Sequence, residues 1–342
     1  MKTKNLTDNL EAAALLRAKE VVAFPTETVY GLGADATSNE AVAKIFAAKG
    51  RPSDNPLIVH IGDITQLDQV VREVPKKAKH LMEHFWPGPL TIILPKKEGL
   101  SDSVTAGLDT VGVRIPDHII ALELLKEVNL PIAAPSANAS GKPSPTTAKH
   151  VADDLNGKIA GIVDGGATGV GVESTVIDCT TEIPTILRPG GISKEEIEAV
   201  IGDVNIDAAL KNLKIAPKSP GMKYTHYAPN APMTLIKGSH RFFQQCINEA
   251  REQGKTVGVL STEESKDDYQ ADVILTCGHK NDILSVAKNL YETLRAFNAY
   301  KLDIIYSESF DEEGIGQAVM NRLVKASGHR IIIEDESVRS DI

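Results

Sequence analysis

Residues 47–61 read AAKGRPSDNPLIVHI. Lys49 and Arg51 flank Gly50, Pro52 follows, and Asn55 and Pro56 lead into the apolar run Leu57-Ile58-Val59, which ends on His60 and Ile61. The preceding residues predict a helix over 39–48. It stops at Gly50, the residue type that most readily takes the left-handed conformation found at helix ends. The two prolines then stiffen an extended, turn-rich segment, and a β-strand of aliphatic residues follows. Lys49, Arg51 and Asn55 therefore fall on a rigid loop beside a strand, with His60 near the strand's far end. Fixed cations on a stiff loop suit an anionic ligand such as a polyphosphate. They equally describe a solvated basic helix end.

The neighbouring stretches repeat this pattern of strand followed by a polar loop. A helix over about 8–19, opened by Asp8 with Glu11, precedes a strand at 21–24 that runs into PTETVYGLG, residues 25–33. Thr26, Glu27, Thr28, Tyr30 and two glycines at a strand's end make either a binding turn or a polar hairpin. A helix over 76–85 carries His80 and His84 one turn apart, but without the acidic and third-ligand positions of a zinc site. Strands follow at 91–94 and 110–115, the second holding Thr110 and, inside an apolar run, Arg114. An arginine there is paired in the core or aimed into a cleft.

A strand at 131–134 breaks into PSANASGKPSPT, residues 135–146, where Ser136, Asn138 and Ser144 are candidate ligand contacts. The run at 160–178, AGIVDGGATGVGVESTVID, brings Gly165, Gly166, Gly169 and Gly171 close together. That is the composition of an anion-holding nest or of hairpin turns, and it lacks the Gly-Lys-Ser/Thr ending of a Walker loop. Ser174 opens the next strand, and Arg188 stands at the exit of a strand over 184–187.

Length and charge restrict the function. The 342 residues carry 37 Lys and Arg against 46 Asp and Glu, a net charge of −9. This argues against broad, sequence-independent nucleic-acid binding. Cys179, Cys246 and Cys277 are scattered, so neither a disulfide framework nor a CxxC metal site is expected. With no signal-peptide pattern and no transmembrane-length apolar run, a cytoplasmic protein is expected. A first domain closes near 206. Residues 207–232, with four prolines and the block SPGMKYTHYAP at 219–229, form a linker whose Tyr224, His226 and Tyr227 are costly to leave exposed. A lid is one use for such a segment. From 233 to 342 strands and helices alternate, which implies a smaller parallel sheet with helices on both faces.

The blocks FPTETVYGLG, KGRPSDNPLIVHI, WPGPLT, VGVRIP, PSANASGKPSPT, VESTVID, LRPGG and SPGMKYTHYAP occur in this order along nearly the whole chain. As an ordered set they resemble the long, two-domain form of the threonylcarbamoyl-AMP synthase family. The resemblance implies an α/β fold, with an open, twisted mixed-sheet nucleotide-binding domain followed by a smaller Rossmann-like one. It implies that L-threonine, bicarbonate or CO2 and ATP, with Mg2+, give L-threonylcarbamoyladenylate and diphosphate. Partner proteins then transfer the threonylcarbamoyl group to an adenosine next to the anticodon of certain tRNAs.

By the same resemblance Thr28, His60, Arg114 and Ser174 contact threonine. Lys49, Arg51, Asn55, Thr110, Ser136, Asn138, Ser144 and Arg188 hold the nucleotide, and Tyr224 and His226 close over it from the linker. Lys49, Arg51 and Arg188 are the cations expected to serve catalysis. No resident protein metal site and no stable nucleic-acid binding are expected. Two rival readings are an RNA-binding module and a carbamoyl-adenylate enzyme of hydrogenase maturation. The acidic charge and extra domain weigh against the first, and the scattered cysteines weigh against the second.

Overall fold

The computed structural model describes residues 2–53, 55–211 and 226–335. Two compact units emerge, one of Met1–Ser140 with Ser144–Tyr224, the other of Gly141–Pro143 with Thr225–Ile342. Three residues of the 135–146 loop thus group with the second unit, a division the sequence does not suggest.

The first unit is built on one eleven-stranded sheet. Its strands are β1 (Lys4–Leu6), β2 (Val22–Phe24), β3 (Gly31–Asp35), β4 (Ile58–His60), β5 (Leu90–Pro95), β6 (Thr110–Arg114), β7 (Ile132–Ala133), β8 (Gly161–Val163), β9 (Thr175–Asp178), β10 (Thr185–Arg188) and β11 (Asn205–Ile206). They lie in the order β1-β8-β2-β3-β7-β4-β6-β5-β9-β10-β11. β2 and β3 pair antiparallel, whereas β4 with β6 and β5 with β9 pair parallel, so the sheet is mixed. The helices are α1 (Asn9–Arg17), α2 (Asn39–Lys49), α3 (Lys76–Phe85), α4 (Asp102–Thr105), α5 (Ile119–Val128), α6 (Ala148–Leu155), α7 (Lys194–Ile201) and α8 (Ala208–Lys211).

Both faces of the sheet are apolar because both are covered. Val22, Phe24 and Ile132 pack with Leu16 of α1 and Leu124 and Leu125 of α5. The alternate residues Ala23, Val59 and Val113 pack with Ile45 of α2, Leu81 of α3 and Ile197 of α7. At the end of α2, Gly50 takes φ 61°, ψ 38°, the left-handed cap expected from its sequence.

The glycines of PTETVYGLG lie in β3, which pairs antiparallel with β2, so the segment is a hairpin, the second of its two readings, and Phe24 explains why glycine stands there. A Cβ on Gly33 would sit 2.8 Å from the Phe24 ring and 2.9 Å from Ile132. The glycines clear a path for the ring, which meets His60 edge-on with centroids 6.1 Å apart.

The second unit has five parallel strands, β12 (Met233–Lys237), β13 (Val257–Ser261), β14 (Val273–Thr276), β15 (Ile304–Ser307) and β16 (Ile331–Ile333), in the order β14-β13-β15-β12-β16. Its long helices are α9 (His240–Glu252), α10 (Ile283–Ala296) and α11 (Gly316–Ala326). This is the small parallel α/β sheet the alternation implies. Within it Tyr227 is buried and stacked on Tyr291, with centroids 5.2 Å apart, and Arg322 lies 5.6 Å from its ring. No helix among the described residues is long and apolar enough to cross a membrane.

The parallel register of β4 and β6 sets His60 opposite Arg114. Both are buried. Burial first, and the Arg114 charge second, hold the His60 pKa down to about 3. Above pH 6.5 the imidazole is neutral in both folded and unfolded chains. Below it the unfolded chain takes up a proton that the folded one refuses, so stability falls between about pH 6.5 and 3. We expect His60→Gln to remove about 1.4 kcal/mol per pH unit of this acid sensitivity between pH 6 and 4, read from urea unfolding. A second expectation concerns Gly190, where a Cβ would lie 2.3 Å from the backbone of Ser174 and Thr175. Backbone cannot yield as a side chain tip can, so Gly190→Ala should destabilise by about 3 kcal/mol or more in the same measurement.

Candidate functional site

The site forms where loops leave the middle strands of the first unit. Arg114, at the end of β6, is 4% exposed. Its Nε donates to Gly88 O at 3.1 Å and its Nη1 to Thr28 Oγ1 at 3.0 Å. Nη2 lies 2.6 Å from Glu27 Oε2, close enough for an ion pair but without hydrogen-bond alignment. Thr28 in turn shares a 2.9 Å contact with Thr26 Oγ1. Around this point buried polar atoms lack hydrogen-bond partners among the described residues. They are both carboxylate oxygens of Glu27, Nη2 of Arg114, Nδ1 of His60 and Nδ1 of His118. Burial lowers the His118 pKa, and the Glu27 charge opposes that shift. Native interiors leave few such groups, and each asks for an unseen water, ion or ligand.

A second cluster adjoins the first through consecutive residues. Gly88 O accepts from Arg114, and the next residue, Pro89, accepts from Thr175 N at 2.9 Å. Beside Thr175, Ser174 Oγ lies 2.8 Å from Thr91 Oγ1. Arg188, on β10, donates from Nε and Nη2 to Ser174 O at 3.1 and 2.8 Å, and from Nη2 to Ser174 Oγ at 3.1 Å. Ser144 donates to Glu173 Oε1 at 2.6 Å.

Lys49 is the last residue of α2 and is buried. Its ammonium bonds Ser136 O, Asn138 O at 2.7 Å and Asn138 Oδ1 at 3.5 Å, so it pins the loop after β7. Ser136 Oγ donates to Asn138 Oδ1 at 2.6 Å. That loop meets the Thr28 segment, since Ala137 N donates to Tyr30 O and Tyr30 N to Pro145 O, both at 2.8 Å. The structure thus brings Thr28, His60, Arg114, Ser174, Arg188, Lys49, Ser136, Asn138 and Ser144 into one connected set of loops. Arg51 stays on its own loop, with Nη2 3.3 Å from Asn55 O, and Asn55 is buried with Nδ2 unpartnered among the described residues. Thr110 opens β6, half-buried. Tyr224 lies outside the described residues, and His226 belongs to the second unit, its ring 5.6 Å from that of Tyr227.

The glycine run is not an open anion nest. Gly165 N donates to Tyr30 OH at 3.0 Å, Gly166 N to Asp164 Oδ1 at 2.9 Å, and Gly169 N and Val170 N to Glu27 O at 3.1 and 2.8 Å. Burial pushes the Tyr30 phenol up to about 12, so it remains a neutral donor to Gly166 O. These amides brace the loop that carries Glu27 and Thr28.

The sequence alone assigns no site role to Glu27, Thr91, Glu173 or the Gly88 carbonyl. Glu27 had one available signal, an acidic residue inside a motif otherwise made of hydroxyls and glycines. His84 Nδ1 sits 2.8 Å from His80 O, and no group of three metal-binding side chains occurs among the described residues.

Residues 14–190 match the Sua5_yciO_yrdC family, described as "Telomere recombination", and residues 192–328 match the "Threonylcarbamoyl-AMP synthase, C-terminal domain". The chain is 58% identical to the threonylcarbamoyl-AMP synthase of Bacillus subtilis, over 97% of this chain and 100% of that one. It is 50% identical to the threonylcarbamoyl-AMP synthase of Pyrococcus abyssi, over 94% of each. The crystal structure of P. abyssi Sua5 complexed with L-threonine superposes with a TM-score of 0.91 at 48% identity, covering 98% of this chain and 100% of that one. With both domains matched and similarity running end to end, the chain belongs to the two-domain Sua5 family of threonylcarbamoyl-AMP synthases.

Proposed function

We propose that this chain is an L-threonylcarbamoyladenylate synthase, a nucleotidyltransferase that joins L-threonine, bicarbonate or CO2 and ATP and releases diphosphate. The observation that carries this reading is the convergence of unpartnered buried polar atoms on Arg114. A site built to take an anion with flanking hydrogen-bond groups leaves them unsatisfied until the ligand arrives. Arg114 takes the amino acid's carboxylate. Thr28 is already at hydrogen-bond distance from that guanidinium, with neutral His60 opposite and Ser174 on the next loop.

The chemistry asks little of an acid or base. The threonine amine, having lost a proton, adds to CO2 and gives an N-carboxylate after a second proton leaves. One oxygen of that group attacks the α-phosphorus of ATP, and the bond to the β-phosphate oxygen breaks as diphosphate departs. The attacker is an anion and so is the target, so positioning and fixed positive charge are the main demands. Lys49 and Arg188 contribute charge from rigid settings, since each already holds backbone carbonyls. Arg51 and Asn55, with Thr110, Ser136, Asn138 and Ser144, contact the nucleotide. Magnesium enters on the ATP phosphates, a habit of this ion in sites with few protein ligands. The product is chemically an activated carbamoyl donor. Its consumer is a threonylcarbamoyl-transferase acting on tRNA adenosine, in the cytoplasm.

Two results are expected. Arg51→Ala should lower threonine- and bicarbonate-dependent diphosphate release by about 10²–10³-fold, the scale for losing one charge-stabilising group. L-Threonine at about 100 times its Kd should stabilise the wild-type chain by about 2.7 kcal/mol. Arg114→Lys keeps the charge but loses the planar fork, and should retain less than about 1 kcal/mol of that gain in thermal unfolding.

A further inference from the structure

Glu27 has no role in the reading above. Its carboxylate is largely buried, with the side chain 12% exposed, and neither oxygen has a hydrogen-bond partner among the described residues. Among the described residues its ion-pair partner is Arg114, at 2.6 Å, in an orientation that leaves the contact unaligned. Its own backbone is fixed, because Glu27 O accepts from Gly169 N and Val170 N. Arg114 is fixed too, through Gly88 O and Thr28 Oγ1. Two opposite charges are therefore held side by side on braced segments, each with hydrogen-bonding capacity left over.

A buried carboxylate without hydrogen bonds is expensive, and an unaligned ion pair does not offset that cost. The free α-amino acid has the complementary form. Its ammonium and carboxylate hang on one carbon, so their partners must be an adjacent anion and cation. Two other carboxylates nearby are already occupied. Glu173 accepts from Ser144, and Asp164 accepts from Gly166 N.

We infer that Glu27 is the substrate-binding residue that receives the α-ammonium of the amino acid whose carboxylate Arg114 holds. The Glu27–Arg114 pair thereby selects free α-amino acids over hydroxy acids and N-acylated ones. This inference rests on the amino-acid reading of Arg114. Glu27 is not a partner that merely steadies the guanidinium, because the pair lacks the aligned geometry that steadying uses.

The test is calorimetric titration of the full chain, wild type, Glu27→Gln and Glu27→Asp, with two ligands. One is L-threonine. The other is the 2,3-dihydroxybutanoate of matching configuration, in which a hydroxyl replaces the ammonium. The wild type should prefer L-threonine by at least about 10-fold, the scale of one hydrogen bond to a charged group. Glu27→Gln should weaken L-threonine about 10–100-fold while changing the hydroxy acid by less than about 3-fold, and Glu27→Asp should restore part of the loss.

Equal losses for both ligands in Glu27→Gln would overturn the inference in favour of a positioning role. Tighter L-threonine binding would overturn it in favour of competition for Arg114. Should Glu27→Gln fail to fold, the wild-type preference decides alone, and its absence sinks the inference. A wild type that binds neither ligand removes the amino-acid reading itself, a failure distinct from the loss of discrimination.

Discussion

A guanidinium buried at the end of a central strand is the constraint from which the rest of this site follows. Arg114 cannot leave the interior without breaking β6, and it cannot stay there unmatched. The chain answers with Gly88 O and Thr28 Oγ1, from two separate loops, and sets the Glu27 carboxylate alongside. Each loop is then held by something else. The Glu27 segment is braced by amides of the glycine run, and Gly88-Pro89 by Thr175 of β9. Remove the arginine and these loops lose their common partner. The neighbouring imidazole, His60, stays neutral largely because it is buried, and partly because this charge is there.

The organisation of the chain was legible where local chemistry alone decides it. Gly50 had to cap α2, and the amphipathic residues after Pro75 had to form α3. The second unit's alternation of strands and helices gave its parallel sheet. The short strands were not legible. β1, β8, β11 and β16 have two or three residues each, too few for a periodic pattern, and exist because a neighbouring strand offers them an edge. The glycines of β3 left two readings open, a binding turn or a hairpin, because glycine signals a turn by propensity. Here it makes room for Phe24, a contact seven to nine residues away in sequence that only the fold supplies.

The site divides in the same way. Residues quoted from separate motifs, Thr28, Arg114, Ser174 and Arg188 among them, come together in the folded chain. What those residues do in the folded chain was less accessible. Lys49 looked like a free cation on a loop and proves to be a buried helix end that anchors the backbone of residues 136 and 138. Arg188 likewise holds Ser174. The glycine run left a nest for anions and hairpin turns both open, and its amides prove to brace the Glu27 segment. In each case the residue type announces a capacity for hydrogen bonding, and topology decides which partner uses it. Glu27 was missed for the same reason in reverse. An acidic residue among hydroxyls and glycines has no obvious purpose until its position beside Arg114 is known.

On the proposed function, this is a site of fixed charge and shape that brings an amino acid, a one-carbon acid and a nucleotide together, with no nucleophile required of the described residues. The most direct test is diphosphate release by the full chain with L-threonine, bicarbonate and ATP supplied together and with each left out in turn. Release that requires all three is the result predicted here. Release from ATP at the same rate whether or not threonine and bicarbonate are present would contradict it.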